Sequence, residues 1–429
     1  MSLHLSRVVA GVATAAVAGA LLVGCSSGGS SDGGVTTISL WARDAQESFM
    51  PELVDGFNST HDDIQVELTI ISGGEFTQKF ASATAGGNPP DVASMDLVLV
   101  PYYAQAGALL DLSDRVAGLD YWDDFDNAHI KTTEWDGKTI AVPFSAEASV
   151  LYYNKDLFRQ AGLDPEDPPS TWDEMTAAAE KITALGNGNY GFYMSGNATG
   201  GNLFTVTPYM YAGGADLLTE GAGSANIDFD SEPATEALAF LRNMWESGYM
   251  PQDAKSDTGA NFYATFATGT IGMQGGGAFG ILDVIDKGTV DLGVTFLPGK
   301  NEGEKSSFAG GDDLIIPAGT KNPDAAWEFV KWATSVEAQE KYLADLGTTP
   351  TRLSVATGYY SDIDPRLATL AQALALGKTP VSPDVYPIFN NSGSPWNNLL
   401  QGAIFGSDSV ENVATTQQEA AEKLITTGK

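Results

Sequence analysis

Ile38 and Leu40 alternate with polar neighbours, Phe49, Leu53 and Phe57 recur every four residues, and Val66, Leu68 and Ile70 alternate again. Period two, then four, then two predicts a strand, a helix and a strand. The pattern repeats: Phe76, Phe80 and Ala83 share a helical face, Gly86 to Pro90 stops it, and Asp91 to Met95 makes a short strand. Strands alternating with helices point to an α/β sheet covered by helices. Later, Thr171 and Glu174 have capping-box spacing before a helix that turns Met175, Ala179, Ile182 and Leu185 to one side. Asn322 followed by Pro323 opens another, carrying Trp327 and Val330 inward and ending near Ser335. A closing amphipathic helix is expected from Val410 to Thr427, with Val413, Ala420, Leu424 and Ile425 as its apolar positions. No Pro/Ser-rich linker divides the middle of the chain, so two lobes would be joined by ordered crossing strands.

The first residues follow another rule. Behind Arg7, the run Val8 to Val23 holds only Val, Ala, Gly, Leu and one Thr, the composition of a secretion signal. As a helix it would reach ~24 Å, short of the ~30 Å hydrocarbon core of a bilayer. The run ends in Leu22-Val23-Gly24-Cys25, which resembles the lipobox of bacterial lipoproteins. That resemblance implies cleavage after residue 24 and a diacylglyceryl group on Cys25, the chain's only cysteine. Residues 25–34, Ser- and Gly-rich, are then a flexible tether, and folding starts near Val35. More than one acyl chain would make the membrane anchoring stable.

A chain of 429 residues with 43% hydrophobic positions can bury two compact lobes or one large α/β unit. Its 22 basic and 55 acidic residues give a net charge of −33, which repels phosphate backbones and excludes nucleic acid as a partner. The three histidines, His4, His61 and His129, with no HExxH or CxxC, leave little material for a catalytic triad or a zinc site. Gly275 to Gly280 matches GxGxxG but lies deep in the chain, outside a first βαβ unit, so it reads as a place where backbone approaches something closely. No P-loop is present, and neither cofactor nor metal is expected. Of the acidic pairs, Asp312-Asp313 stands out, following Gly310-Gly311 and preceding the strand-like Leu314-Ile315-Ile316. Acids at a sheet edge beside open backbone can accept ligand hydroxyls. Loop aromatics are expected at Trp41, at Tyr209 and Tyr211 near Asn202, and at Trp396. Trp396, set among Asn, Ser and Gly, reads either as an exposed recognition group or as ordinary packing.

Several segments, in order along nearly all of the chain after the tether, resemble bacterial ABC-transporter solute-binding proteins of the extracellular carbohydrate-binding (family 1) type. They are Ile38 to Trp41, Gly87-Asn88-Pro89-Pro90-Asp91-Val92, Ala141 to Phe144 with Leu151 to Phe158, Asn322 to Trp332, and Gly347 to Arg352. The resemblance implies a two-lobed α/β periplasmic-binding-protein-like fold (type II), its lobes discontinuous in sequence and joined by three crossings near Ser145, Ser307 and Leu353. Lobe 1 would hold 35–145 and 308–352, lobe 2 146–307 and 353–429. It further implies a non-enzymatic, monomeric, extracytoplasmic protein that closes on a mono- or oligosaccharide and docks on an ABC permease. Carried over position by position, the ligand residues would be Trp41, Arg43, Asp44, Glu75, Asp96, Ser145, Glu147, Gly276, Gly277, Phe279, Asp312, Arg352 and Trp396. Plainer roles stand beside these: Arg43 pairing with Asp44, Glu147 as a hinge acceptor, Phe279 in the core. Two other functions compete. The acids and loop aromatics also suit a secreted glycosidase or lyase, and Tyr359-Tyr360 resembles the adjacent tyrosines of ferric-ion binders.

Overall fold

The computed structural model describes residues 34–219, 226–260, 262–391 and 393–425, and from Val35 onward the described residues form one compact unit. The expected signal peptide, Cys25 and the tether up to Gly33 lie outside the described residues.

The described strands are β1 (Thr36–Arg43), β2 (Ile64–Ile71), β3 (Val92–Asp96), β4 (Glu134–Trp135), β5 (Lys138–Thr139), β6 (Val142–Ala148) and β7 (Val150–Asn154). They continue with β8 (Tyr190–Tyr193), β9 (Ile271–Gly276), β10 (Leu292–Thr295), β11 (Leu297–Pro298), β12 (Lys305–Ile315), β13 (Thr349–Pro350) and β14 (Gly377–Lys378). The large sheet runs β13-β6-β12-β3-β1-β2, with β11 and β14 added along β12, and the small sheet runs β10-β7-β9-β8. β1 is parallel to β2 and β3, whereas β12 is antiparallel to β3 and β6.

Alternation decides which way β1 faces. Ile38, Leu40 and Ala42 are fully buried, while Ser39, Trp41 and Arg43 are half-buried or exposed. The buried set packs with Leu53 and Phe57 of the helix Met50–Thr60 and with Phe329 and Val330 of the helix Pro323–Ala333. Each such side chain, fully buried, stabilises the fold by roughly 1.5–3 kcal/mol. A larger apolar cluster joins the small sheet to the helices Trp172–Thr183, Gly201–Ala212, Glu232–Glu246 and Pro395–Ala403.

The chain steps from the large sheet to the small one at Ser149 and returns along β12. The joint is tightly bonded: Ser149 Oγ accepts from Phe308 N at 2.7 Å, and Ser307 Oγ donates to the Ser149 carbonyl at 3.0 Å. Further along, Asp312 pairs with Ser145 but Asp313 pairs with Pro143, so β6 bulges at Phe144. Pro143 has no N–H to keep the ladder regular. The carbonyl of Phe144 turns instead to Gln339 Nε2 at 2.8 Å and Thr351 Oγ1 at 3.1 Å. Gly311 sits at φ +131°, where a Cβ would collide with the Ser145 carbonyl.

Some expected details shift. Thr171 Oγ1 does accept from Glu174 N, at 3.3 Å, but the Glu174 carboxylate reaches back to Ser170 rather than to Thr171. The last helix spans Val410–Glu422 and buries Val410, Ala414 and Ala421; Leu424 falls beyond its end and is exposed. Tyr209 and Tyr211, expected near a loop, are buried within the helix Gly201–Ala212. Among the described residues no helix is long and apolar enough to cross a membrane.

Candidate functional site

In an open α/β sheet, ligands bind in the crevice beyond the carboxyl ends of the parallel strands. Arg43 is the last residue of β1 and Asp96 the last of β3, and these strands are neighbours. Antiparallel β12 then sets Asp312 directly opposite Asp96. Strand register alone therefore gathers the three charges. Arg43 Nε and Nη2 donate to the two oxygens of Asp312 at 2.9 and 2.8 Å, and Nη1 donates to Asp96 Oδ2 at 3.3 Å. Burial works against the Arg43 charge, but Asp312 and Asp96 outweigh it and hold the guanidinium more firmly protonated than usual. Burial raises the Asp96 pKa, with Arg43 opposing and Asp312 reinforcing.

Glu147, on β6 opposite Gly310, lies beside this triad. Its Oε1 accepts from the backbone N–H of Ala278, the first residue of the helix Ala278–Lys287. That bond and the helix N-terminus favour the carboxylate, yet burial prevails, aided by Asp312, and pushes Glu147 well above the usual range. It is a carboxyl group disposed to keep its proton. The glycine run explains the close approach: a Cβ at Gly277 would strike Glu147 Oε1 and the Phe204 ring, and one at Gly276 would strike Tyr152.

These groups line one cavity of about 840 Å³, towards the upper end of the ~300–1,000 Å³ typical of small-molecule sites. The facing wall comes from the start of the helix Gly201–Ala212, with Asn202 and Phe204, and from a π-helical turn, Tyr386–Asn390. Phe204 meets Phe308 edge to face at 6.1 Å, and Tyr102 meets Tyr386 at 5.6 Å. Among the described residues that line the cavity, Arg43 is the one cation, and two aspartates already hold it. The cavity therefore offers carboxyl, amide, hydroxyl and aromatic groups but no spare positive charge. This suits an uncharged polyhydroxyl ligand, whose hydroxyls bond to the polar groups while its C–H faces lie on the rings.

Of the residues expected at a ligand, Arg43, Asp96, Ser145, Glu147 and Asp312 line the cavity. Gly276 and Gly277 lie behind Glu147 as backing. Asp44 accepts from Gly73 N at 3.0 Å instead of pairing with Arg43, and Glu75 pairs with Lys79 at 2.9 Å in an exposed helical pair. Trp41 is half-buried within β1. The Phe279 side chain is outside the described residues. Two expectations are corrected. Trp396 is 0% exposed, packed between Phe229 at 5.8 Å and Phe389 at 5.5 Å. Its surroundings are a helix start, not an open loop: Ser394 Oγ accepts from Asn397 N at 3.2 Å and Pro395 begins the helix. Arg352 is spent on Asp124 at 2.7 Å, on the Thr334 carbonyl at 3.1 Å and on the Tyr121 ring at 4.3 Å.

Sequence reasoning missed Tyr102, Asn202, Phe204, Tyr386 and Asn390 in the cavity wall. Asn390 opens the Asn-rich stretch in which Trp396 stands. Tyr359 and Tyr360 do not share a site, since Tyr360 is fully buried and Tyr359 is exposed. Among the described residues no group of three His, Cys, Asp or Glu is placed to hold a metal.

The family description "bacterial extracellular solute-binding protein" matches residues 42–340. The GacH receptor of Streptomyces glaucescens, solved unliganded and with acarbose, superposes with a TM-score of 0.79 at 27% identity, over 91% of this chain and 98% of that one. The cyclic alpha-maltosyl-1,6-maltose binding protein of Arthrobacter globiformis gives 0.79 at 26% identity, over 92% of this chain and 100% of that one. A mannitol-binding protein of Pseudomonas aeruginosa is 28% identical over 88% of this chain and 91% of its own. The two-lobed α/β fold of these structures is the fold of this chain.

Proposed function

The chain belongs to the bacterial extracellular solute-binding protein family, and from that premise we propose that it captures an uncharged sugar or oligosaccharide outside the cytoplasm and delivers it to an ABC permease. The observation that carries this reading is the cavity whose one lining cation is already neutralised while carboxyl, amide and ring groups face inward. Related proteins named for acarbose, a maltosyl-maltose and mannitol support the ligand class.

In this reading Arg43, Asp96, Ser145 and Asp312 form one ligand wall, and Glu147 stands at the crossing between the lobes. The lobes are 35–145 with 308–352 and 146–307 with 353–429, and the joint at Ser149 and β12 flexes between them. Contacts made only when both walls reach the ligand favour the closed form, and only that difference shifts the population. A micromolar sugar would correspond to roughly −8 kcal/mol. No bond is made or broken. The mature protein is held at the membrane by acylated Cys25; Cys25→Ser should release it to the medium or leave it uncut, and a fully membrane-held variant would refute the anchor.

One feature favours a second reading, a glycosidase with Glu147 as proton donor, because its raised pKa beside ionisable Asp312 suits general-acid chemistry. Against it, both Asp312 oxygens are engaged by Arg43 and Glu147 Oε1 is held by Ala278. A thermal-shift panel decides: glucose, mannose and N-acetylglucosamine, with their di- to tetrasaccharides. The binding reading expects at least one to raise the melting temperature and to be recovered intact; a ligand at 100 times its Kd adds about 2.7 kcal/mol. No shift across the panel sinks the sugar reading, and cleaved saccharide sinks the non-enzymatic one.

A further inference from the structure

The wall facing the charged triad has a corner that holds two buried polar atoms without partners among the described residues. Asn202, in the first turn of the helix Gly201–Ala212, is 1% exposed, and its Nδ2 has no hydrogen-bond partner among the described residues. Asn390, the last residue of the π-helical turn, has an Oδ1 in the same condition. The two elements meet here, since a Cβ on Gly200 would come within 2.9 Å of Asn390 Nδ2. One turn before Asn390, the Tyr386 ring leans on Tyr102, which comes from the helix Val100–Gln105 after β3. All four residues line the cavity, and Tyr102 is 36% exposed.

A buried amide donor and a buried amide acceptor left unpaired are costly unless a ligand supplies their partners. A hydroxyl can do both, accepting from Asn202 Nδ2 and donating to Asn390 Oδ1. A tyrosine pair beside them offers aromatic faces to the C–H side of a ring. None of these groups belongs to the triad or to Glu147, which β1, β3, β6 and β12 supply.

We infer that Asn202, Asn390, Tyr102 and Tyr386 form a second sugar subsite that selects ligands of at least two rings over monosaccharides. The inference rests on the sugar reading above and adds ligand length to it. One ring sits at the Arg43–Asp96–Asp312 and Glu147 end; the next is clasped by the tyrosines and bonded by the two amides.

The test is calorimetry with the glucose, mannose and N-acetylglucosamine series, from one ring to four, on the wild type and on Tyr102→Ala, Tyr386→Ala and Asn202→Ala. The wild type should bind the preferred di- or trisaccharide at least tenfold more tightly than its monosaccharide. Each variant should lose about tenfold on the oligosaccharide and leave the monosaccharide unchanged. Asn202→Ala alters a buried position, so half-exposed Tyr102 keeps the test decisive if that variant misfolds. A wild type that binds a monosaccharide as tightly as any longer chain, with Tyr102→Ala and Tyr386→Ala unaltered, overturns the subsite and leaves the sugar reading standing. Absence of all binding removes both.

Discussion

On the cleft side of β12, Asp312 spreads its carboxylate across two nitrogens of Arg43, at 2.9 and 2.8 Å. One residue on, Asp313 points the opposite way, into a closed interior where Thr132 Oγ1 donates at 2.9 Å and the other oxygen has no partner among the described residues. His129 lies on that same side, fully buried, with Nε2 2.8 Å from the Gly310 carbonyl and Nδ1 3.4 Å from Asp126. Successive strand residues face opposite ways, so adjacent identical side chains occupy unlike surroundings. In the cleft a cation compensates the acid. Behind the sheet, burial pushes Asp313 up to about 7, with the His129 charge and the Thr132 hydroxyl pulling it back. Residue type says little about role here; the role follows from which side of the sheet the residue faces and what partners remain to it.

Removing Trp396 should have the largest effect, because it belongs wholly to the closed interior. Trp396→Ala should cost about 3–5 kcal/mol in denaturant melts and leave saccharide affinity unchanged at temperatures where the variant is folded. Weaker binding at full stability would move this ring back to the cleft.

Next comes Asp313→Asn. The folded state holds the Asp313 proton up to about pH 7, whereas the unfolded chain loses it near the ordinary value of 3.8. The resulting stabilisation is complete below about pH 4 and disappears as pH rises through 7. Against the effect of burial, Asp126, the Gly310 carbonyl and Asp313 raise the His129 pKa, so His129 adds a slope of the same sign, which the variant keeps only in part because it lacks the Asp313 charge. Asparagine cannot ionise, so from pH 4 to pH 8 the variant should gain on the wild type by up to about 4 kcal/mol. Parallel pH–stability curves would mean that Asp313 is ionised throughout.

The smallest effect is expected in the cleft. Asp312→Asn should weaken binding of the preferred saccharide about 10- to 100-fold, or about 1.4–2.7 kcal/mol, while stability falls by less than the ~3–5 kcal/mol of a fully broken buried pair, because Arg43 retains Asp96. Loss of stability without loss of affinity would make the Asp312–Arg43 pair a structural element like Arg352–Asp124.

The contrast also explains what could be read in advance. Arg43, Asp96 and Glu147 are indicated only by the family resemblance, whereas Asp312 is also marked by Gly310-Gly311 before it and the strand-like Leu314-Ile315-Ile316 after it, and the glycines at 276 and 277 announce close backbone approach. The amide and tyrosine corner has no such local signature, because it exists only where a helix start and a π-helical turn meet at Gly200 and Asn390. Trp396 takes the packing role, one of the two its sequence allows, for a different reason. Its polar neighbours resemble a loop, yet Ser394 followed by Pro395 is a helix-start signal, and Leu399 and Leu400 share the buried side of that helix. Arg352 could not be assigned from sequence, since its partner Asp124 is 228 positions away.

The position of β12 has a consequence for how the chain is made. It lies between β3 and β6, although it is not synthesised until more than two hundred residues after β3. Until Ile315 emerges, β3 keeps an open edge and the first sheet has no middle. Pairings this distant in sequence slow folding, so on the nascent polypeptide the large sheet cannot close until Ile315 has been made, although every strand of the small sheet is already present by Thr295.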